Sequence, residues 1–84
     1  MLPLPDPKIL KEQVVHFDDR KGRDLLSPGD RRPSRRQLLR WVTEGLVNRL
    51  NGERVYLEFA REGPSRVTSV QAWERFNEAL NTGD

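Results

Sequence analysis

The chain contains no cysteine, so neither disulfides nor thiolate metal sites support its core. That absence fits a reducing compartment. No apolar run approaches the ~20 residues a membrane-spanning helix requires. The opening MLPLPDPK lacks a basic stretch followed by an apolar one, so no secretory signal is expected and the expected location is cytoplasmic, with no membrane partner. His16 is the single histidine, and no further ligands stand around it at metal-binding spacing. Asp18-Asp19 is a carboxylate pair on a charged turn, where solvation is the ordinary outcome. There is no glycine-rich phosphate loop and no pairing of nucleophile with base. The sequence therefore predicts a protein that is not an enzyme and uses no cofactor or metal.

At 84 residues the chain forms one domain at most, burying only ~60% of the surface its unfolded form exposes. Its net charge of +2 is small, but the distribution is uneven. Residues 20–40 carry Arg20, Lys21, Arg23, Arg31, Arg32, Arg35, Arg36 and Arg40 against Asp24 and Asp30, a local +6, while the remainder is net negative. Such asymmetry marks a surface that attracts phosphates. Twelve of the fifteen cations are arginine, whose planar fork matches phosphate oxygens and guanine edges.

Residues 1–7, with three prolines, read as an extended arm, and residues 8–81 as a single domain. Asp6-Pro7 reads as a cap and first-turn proline, with Ile9, Leu10, Val14 and Phe17 at helical spacing, which predicts a short helix over about 7–16. The alternative is a short strand at VVHF. A turn or two of helix is expected near Arg20–Leu26, burying Leu25 and Leu26, followed by a turn at Ser27–Asp30.

Ser34 then caps a helix over 35–44, and Gln37 completes a capping box. Leu38, Trp41 and Val42 form its apolar stripe, and Gly45 supplies the left-handed stop. From 53 to 68 the period changes to two. Val55, Leu57 and Phe59 alternate with polar neighbours, Glu62–Ser65 turns the chain, and Arg66–Thr68 returns, predicting a hairpin tipped by Arg61 and Arg66. Thr68 with Gln71, or Ser69 alone, caps a last helix. Its apolar face is Trp73, Phe76 and Leu80, with Ala72 and Ala79 beside them, and Asn81-Thr82-Gly83 ends it. The whole reads as an α+β domain, mostly helical, of about three helices and one two-stranded hairpin.

An arginine-rich capped helix followed by a basic hairpin and a further helix is the order of a winged helix-turn-helix. SRRQLLRWVTEGL resembles the recognition-helix segment of excisionase-like, MerR-type winged-helix proteins: capping Ser34, aliphatic Leu38-Leu39, the Arg40-Trp41 pair and the closing Gly45. RVYLEFAREGPSRVTSVQAWERF is similar to the wing of that family and the helix it leads into. The resemblance covers about residues 25–80. It implies double-stranded DNA as partner, with helix 35–44 in the major groove and hairpin 53–68 as wing. Arg36, Gln37 and Arg40 would then face bases or phosphates, Ser34 and Arg35 a phosphate at the helix N-terminus, and Arg61 and Arg66 the flanking backbone or minor groove. Trp41 would belong to the core with Val42, Phe59 and Trp73. One such module covers a short site, so a second copy, cooperative neighbours or an integrase or recombinase partner is implied.

Two other readings compete. The basic surface could serve an acidic protein partner, consistent with the near-neutral total charge and with Glu74 and Glu78 on the last helix. Single-stranded or RNA binding would need exposed aromatics, and of the six only Tyr56 falls on the outward strand face.

Overall fold

The structure is a computed structural model and describes residues 4–81. Residues 1–3 of the expected arm and Thr82-Gly83 of the expected helix stop lie outside the described residues. Asp6 accepts a hydrogen bond from the Lys8 amide (3.1 Å), and Pro7 opens a short 3-10 turn, Pro7–Lys11. The helix expected over 7–16 goes no further. Beyond Gln13 the chain extends into strand β1, Val14–His16, which is the alternative reading at VVHF. The reason is tertiary. Two β-branched valines sit well on a pleated sheet, and β5 (Ser65–Ser69) captures them, with Val14, Val15 and His16 opposite Ser69, Thr68 and Val67.

Asp19 caps α1, Arg20–Leu26, by accepting from the Lys21 amide (3.1 Å). Leu26 is buried, but Leu25 is 57% exposed, against expectation. Neighbouring residues point ~100° apart on a helix, and seven residues offer one inward face. The 3-10 turn Gly29–Arg31 occupies the expected turn region, anchored where Asp24 accepts from the Gly29 amide (3.1 Å).

Helix α2, Arg35–Thr43, begins at the predicted capping box. Ser34 Oγ accepts from the Gln37 amide (3.1 Å), and Gln37 Oε1 accepts from the Ser34 amide (2.9 Å). Leu38 and Val42 are fully buried, whereas Trp41 is half-buried. The Trp41 ring lies 5.5 Å from that of Trp73 and 5.9 Å from that of Phe76, a tilted aromatic group that clamps α2 to the last helix. Gly45 (φ +71°) ends α2 in the left-handed region, and a Cβ there would collide with the carbonyl oxygen of Val55.

The hairpin expected over 53–68 is divided. Leu46–Val47 (β2) pairs with Arg54–Val55 (β3) in a separate two-stranded ladder. Residues 56–59 then leave the strand path, with the Leu57 amide donating to the Trp41 carbonyl (3.1 Å). Ala60–Glu62 (β4) resumes and pairs with β5 around Gly63-Pro64. With β1 on its other side, β5 is the centre of a three-stranded antiparallel sheet ordered β1-β5-β4, where a two-stranded hairpin was expected.

Ser69 alone caps α3, Val70–Asn81: its Oγ accepts from the Ala72 amide (2.8 Å). Gln71 instead accepts from the Gln13 amide (3.0 Å). Ala72 and Phe76 are buried and Trp73 and Leu80 pack on the core, but Ala79 is exposed and gives its carbonyl to the buried Asn48 side chain (2.7 Å). Val15 and Phe17 of the sheet face join Leu26, Leu38, Val42, Leu57, Phe59 and Phe76 in the main core. On the opposite sheet face, Val67 and Ala60 close on Ile9 and Ala72. The described residues thus form an α+β fold of three α-helices and two small antiparallel sheets.

Candidate nucleic-acid interface

Burial of Leu38 and Val42 fixes which side of α2 meets solvent. Arg36 and Arg40 are four residues apart and both exposed, so they form a stripe on the outer face that Glu44 continues. The Arg40 Nε donates to the Glu44 carboxylate (3.1 Å) with both side chains about two-thirds exposed, a pair worth only ~0.3–0.5 kcal/mol. Arg36 has no ion-pair partner among the described residues, and neither do the exposed Arg20, Lys21 and Arg31.

The other cations of the basic segment are held. Arg35 is bound through its Nε to Asp18, Arg32 to Asp24 (3.3 Å), and Arg23 reaches the Pro33 carbonyl (3.2 Å). These contacts pin the N-terminal end of α2 to α1 and to the turn after β1. Ser34 and Gln37 are exposed, but the capping box occupies the Gln37 carbonyl oxygen. A two-pronged pairing of Gln37 with adenine would have to open that box, which makes Gln37 a better cap than a base reader.

Arg61 and Arg66 are directly opposite each other across β4 and β5, so their side chains share one sheet face. Alternation along β5 places that face with Thr68, the residue opposite the core residue Val15. The two arginines therefore lie on the same side of the sheet as Val15 of the main core. Phe17 donates to the Arg66 carbonyl (3.2 Å), and the next residue, Asp18, holds Arg35. Through these two residues the hairpin and the start of α2 become neighbours. Like charges directly opposite on a sheet cost stability, and this pair has no acidic neighbour in the same cross-strand position.

Two constellations were not read from the sequence. The first is a polar groove of about 410 Å³ at the C-terminal end of α2, lined by Arg40, Glu44, Gly45, Arg54 and Tyr56. Arg54 donates to the Glu44 carbonyl (2.6 Å), and Tyr56 is 40% exposed. The outward strand position of Tyr56 was the available signal.

The second lies at α3 and the 3-10 turn over the sheet. Arg75 donates to both oxygens of Glu12 (2.8 and 3.0 Å) and to both of Glu58 (2.7 and 3.3 Å). Lys8 adds a contact to Glu58 (3.0 Å), and Ser69 donates to Glu12 (2.7 Å). The Arg75 guanidinium holds the Glu12 carboxyl down at about 2, burial pulls the other way, and the Ser69 hydroxyl adds a smaller lowering. Burial also raises Glu58, but Arg75 and Lys8 outweigh it and the net shift is downward. The partners respond in kind, with Arg75 raised by the two carboxylates and Lys8 raised by Glu58 and Asp6.

No group of three or more histidine, cysteine, aspartate or glutamate side chains among the described residues is arranged to hold a metal ion. No helix among them is long and apolar enough to cross a membrane. Comparison with family models, curated proteins and solved structures finds no match for this chain.

Proposed function

We propose that this protein binds double-stranded DNA as a winged helix-turn-helix-like module, acting as an excisionase-like architectural factor or a transcriptional regulator. Helix α2 enters the major groove, and the β4–β5 hairpin serves as the wing. The observation that carries this reading is the outer stripe of α2. Arg36 stands without an ion-pair partner among the described residues, and Arg40 has only a weak one. The inner face of the same helix is fixed by Leu38, Val42 and the aromatic group. Rigid mounting matters because a base-reading side chain must be placed, whereas a merely solvated one need not be.

Within this reading Arg36 and Arg40 supply guanine or phosphate contacts, and Arg61 and Arg66 flank them from the hairpin. Arg35 reaches a phosphate only by leaving Asp18, so it contributes more to positioning α2. One module of this size binds a short site modestly, and function calls for a second copy, cooperative neighbours or a recombinase partner.

The test is a fluorescence-anisotropy titration with random-sequence duplex at about 50 and 200 mM salt. Affinity that falls steeply between the two supports the proposal. Absence of binding at the lower salt would end it and direct attention to an acidic protein partner. Arg36→Ala should remove most of the binding and leave the melting curve in place, which separates a contact from a folding defect.

A further inference from the structure

The groove at the end of α2 adds residues that the outer stripe alone does not include. Arg36, Arg40 and Glu44 follow one another at four-residue spacing, and the line continues off the helix onto Arg54 and Tyr56. From residue 36 to residue 44 a helix rises ~12 Å, about the width of the major groove. Side chains at the far end of such a line meet the groove wall, where phosphates stand, while those at the middle meet base edges.

That end is the negative pole of α2, so a phosphate there would be held by the cationic side chains alone. Two guanidinium groups, Arg40 and Arg54, converge on one residue, Glu44: Arg40 takes its carboxylate (3.1 Å) and Arg54 its backbone carbonyl (2.6 Å). Tyr56 lies alongside, packed over Gly45 and partly exposed, and its phenol is a further donor. The Glu44 carboxylate thus occupies Arg40, one of the cations a phosphate would need, while Arg54 is held on the backbone carbonyl beside it. Its bond to Arg40 is an exposed one that a doubly contacted phosphate displaces readily.

We infer that Arg40, Arg54 and Tyr56 form a subsite for a DNA backbone phosphate, and that Glu44 is the internal anion this phosphate displaces. The inference rests on the DNA-binding proposal and specifies part of its interface. Glu44 then acts as a built-in competitor. It lowers affinity for any duplex and keeps the arginines from holding phosphates indiscriminately.

The test uses the same anisotropy titration on the whole chain, with Glu44→Gln, Tyr56→Phe, Arg54→Ala and Arg36→Ala compared with the parent. Glu44→Gln should tighten binding about threefold and steepen the salt dependence, because it frees one more cation for phosphate. Tyr56→Phe should weaken binding about threefold, and Arg54→Ala should reduce the salt slope by about one. Since Arg54 also holds the end of α2, melting curves accompany each variant, and Tyr56→Phe keeps the test meaningful if Arg54→Ala unfolds. Loss of binding in Arg36→Ala with no change in Glu44→Gln and Tyr56→Phe would overturn the subsite and leave the DNA proposal standing. Weaker binding by Glu44→Gln would also overturn it, since Glu44 would then be a contact. Failure of the parent chain to bind duplex would overturn both.

Discussion

Two charged surfaces of this protein use the same residue types to opposite ends. Around Arg75, two cations and two glutamates close on one another, every guanidinium nitrogen meets a carboxylate oxygen, and three parts of the chain are tied together. Along the outer stripe of α2, Arg36 and Arg40 stand one turn apart with only the exposed Glu44 as partner. The first cluster brings carboxylates from distant positions, Glu12 and Glu58, to a single arginine on α3. The stripe is set by helical periodicity, and its one ion pair is local, from Arg40 to Glu44. Closed charge is structural, and open charge is available for something outside the molecule.

The largest expected effect of breaking this contrast is on stability. Arg75→Ala leaves Glu12 and Glu58 facing each other without their common cation and should cost ~2 kcal/mol after allowance for partial exposure, lowering the melting midpoint by ~10 °C. Binding to duplex, measured below that midpoint, should stay close to that of the parent chain. An equal loss of stability from Arg36→Ala would erase the distinction.

Acid should sharpen it next. Glu12 is held at about 2 and Glu58 is also lowered, so both bind protons more readily in the unfolded chain than in the folded one. Their stabilisation is present in full above the ordinary carboxylate value near 4.5 and is lost as pH falls from there toward 2. Urea midpoints taken between neutral pH and pH 3 should drop steeply for the parent and more shallowly for Arg75→Ala.

On the open surface, Arg36→Ala should reduce duplex affinity about tenfold, or ~1.4 kcal/mol, and move the melting midpoint by no more than ~3 °C. The smallest effect belongs to the hairpin. Arg61→Ala should weaken duplex binding about twofold while leaving stability unchanged or raised by a few tenths of a kcal/mol, because it relieves repulsion with Arg66. A calorimetric melt alongside the titration checks both signs.

What the sequence made legible was local. The box between Ser34 and Gln37, the stop at Gly45, the turn at Gly63-Pro64 and the Trp73–Phe76–Leu80 face depend on residues a few positions apart, and each stands where it was expected. The misplacements came from long-range choices. Val14–His16 is a strand because β5 recruits it, and three residues carry too short a pattern to distinguish strand from helix. Alternation at Val55, Leu57 and Phe59 suggested one strand, yet the Leu57 amide goes to Trp41 and the ladder is interrupted there. Leu25 reads as apolar and turns outward because the short α1 buries Leu26. At the candidate site, the α2 arginines could be named from spacing, whereas the meeting of Arg40 with Arg54 and Tyr56 depends on how β3 is laid against the end of α2.

The placement of β5 at the centre of its sheet also bears on how the protein assembles in time. Its partner β1 lies more than fifty residues earlier in the chain, while β4 is joined to it by a tight turn. Closing so long a loop carries an entropic cost that local helices and the hairpin do not face. Helix α2, with its cap, and the β4–β5 turn are therefore expected to form before β1 docks, and that docking is expected to be the slower step. During synthesis β1 must wait, unpaired, until β5 has left the ribosome. On that expectation, the arginine helix acquires its rigid mount only when β1 closes on β5.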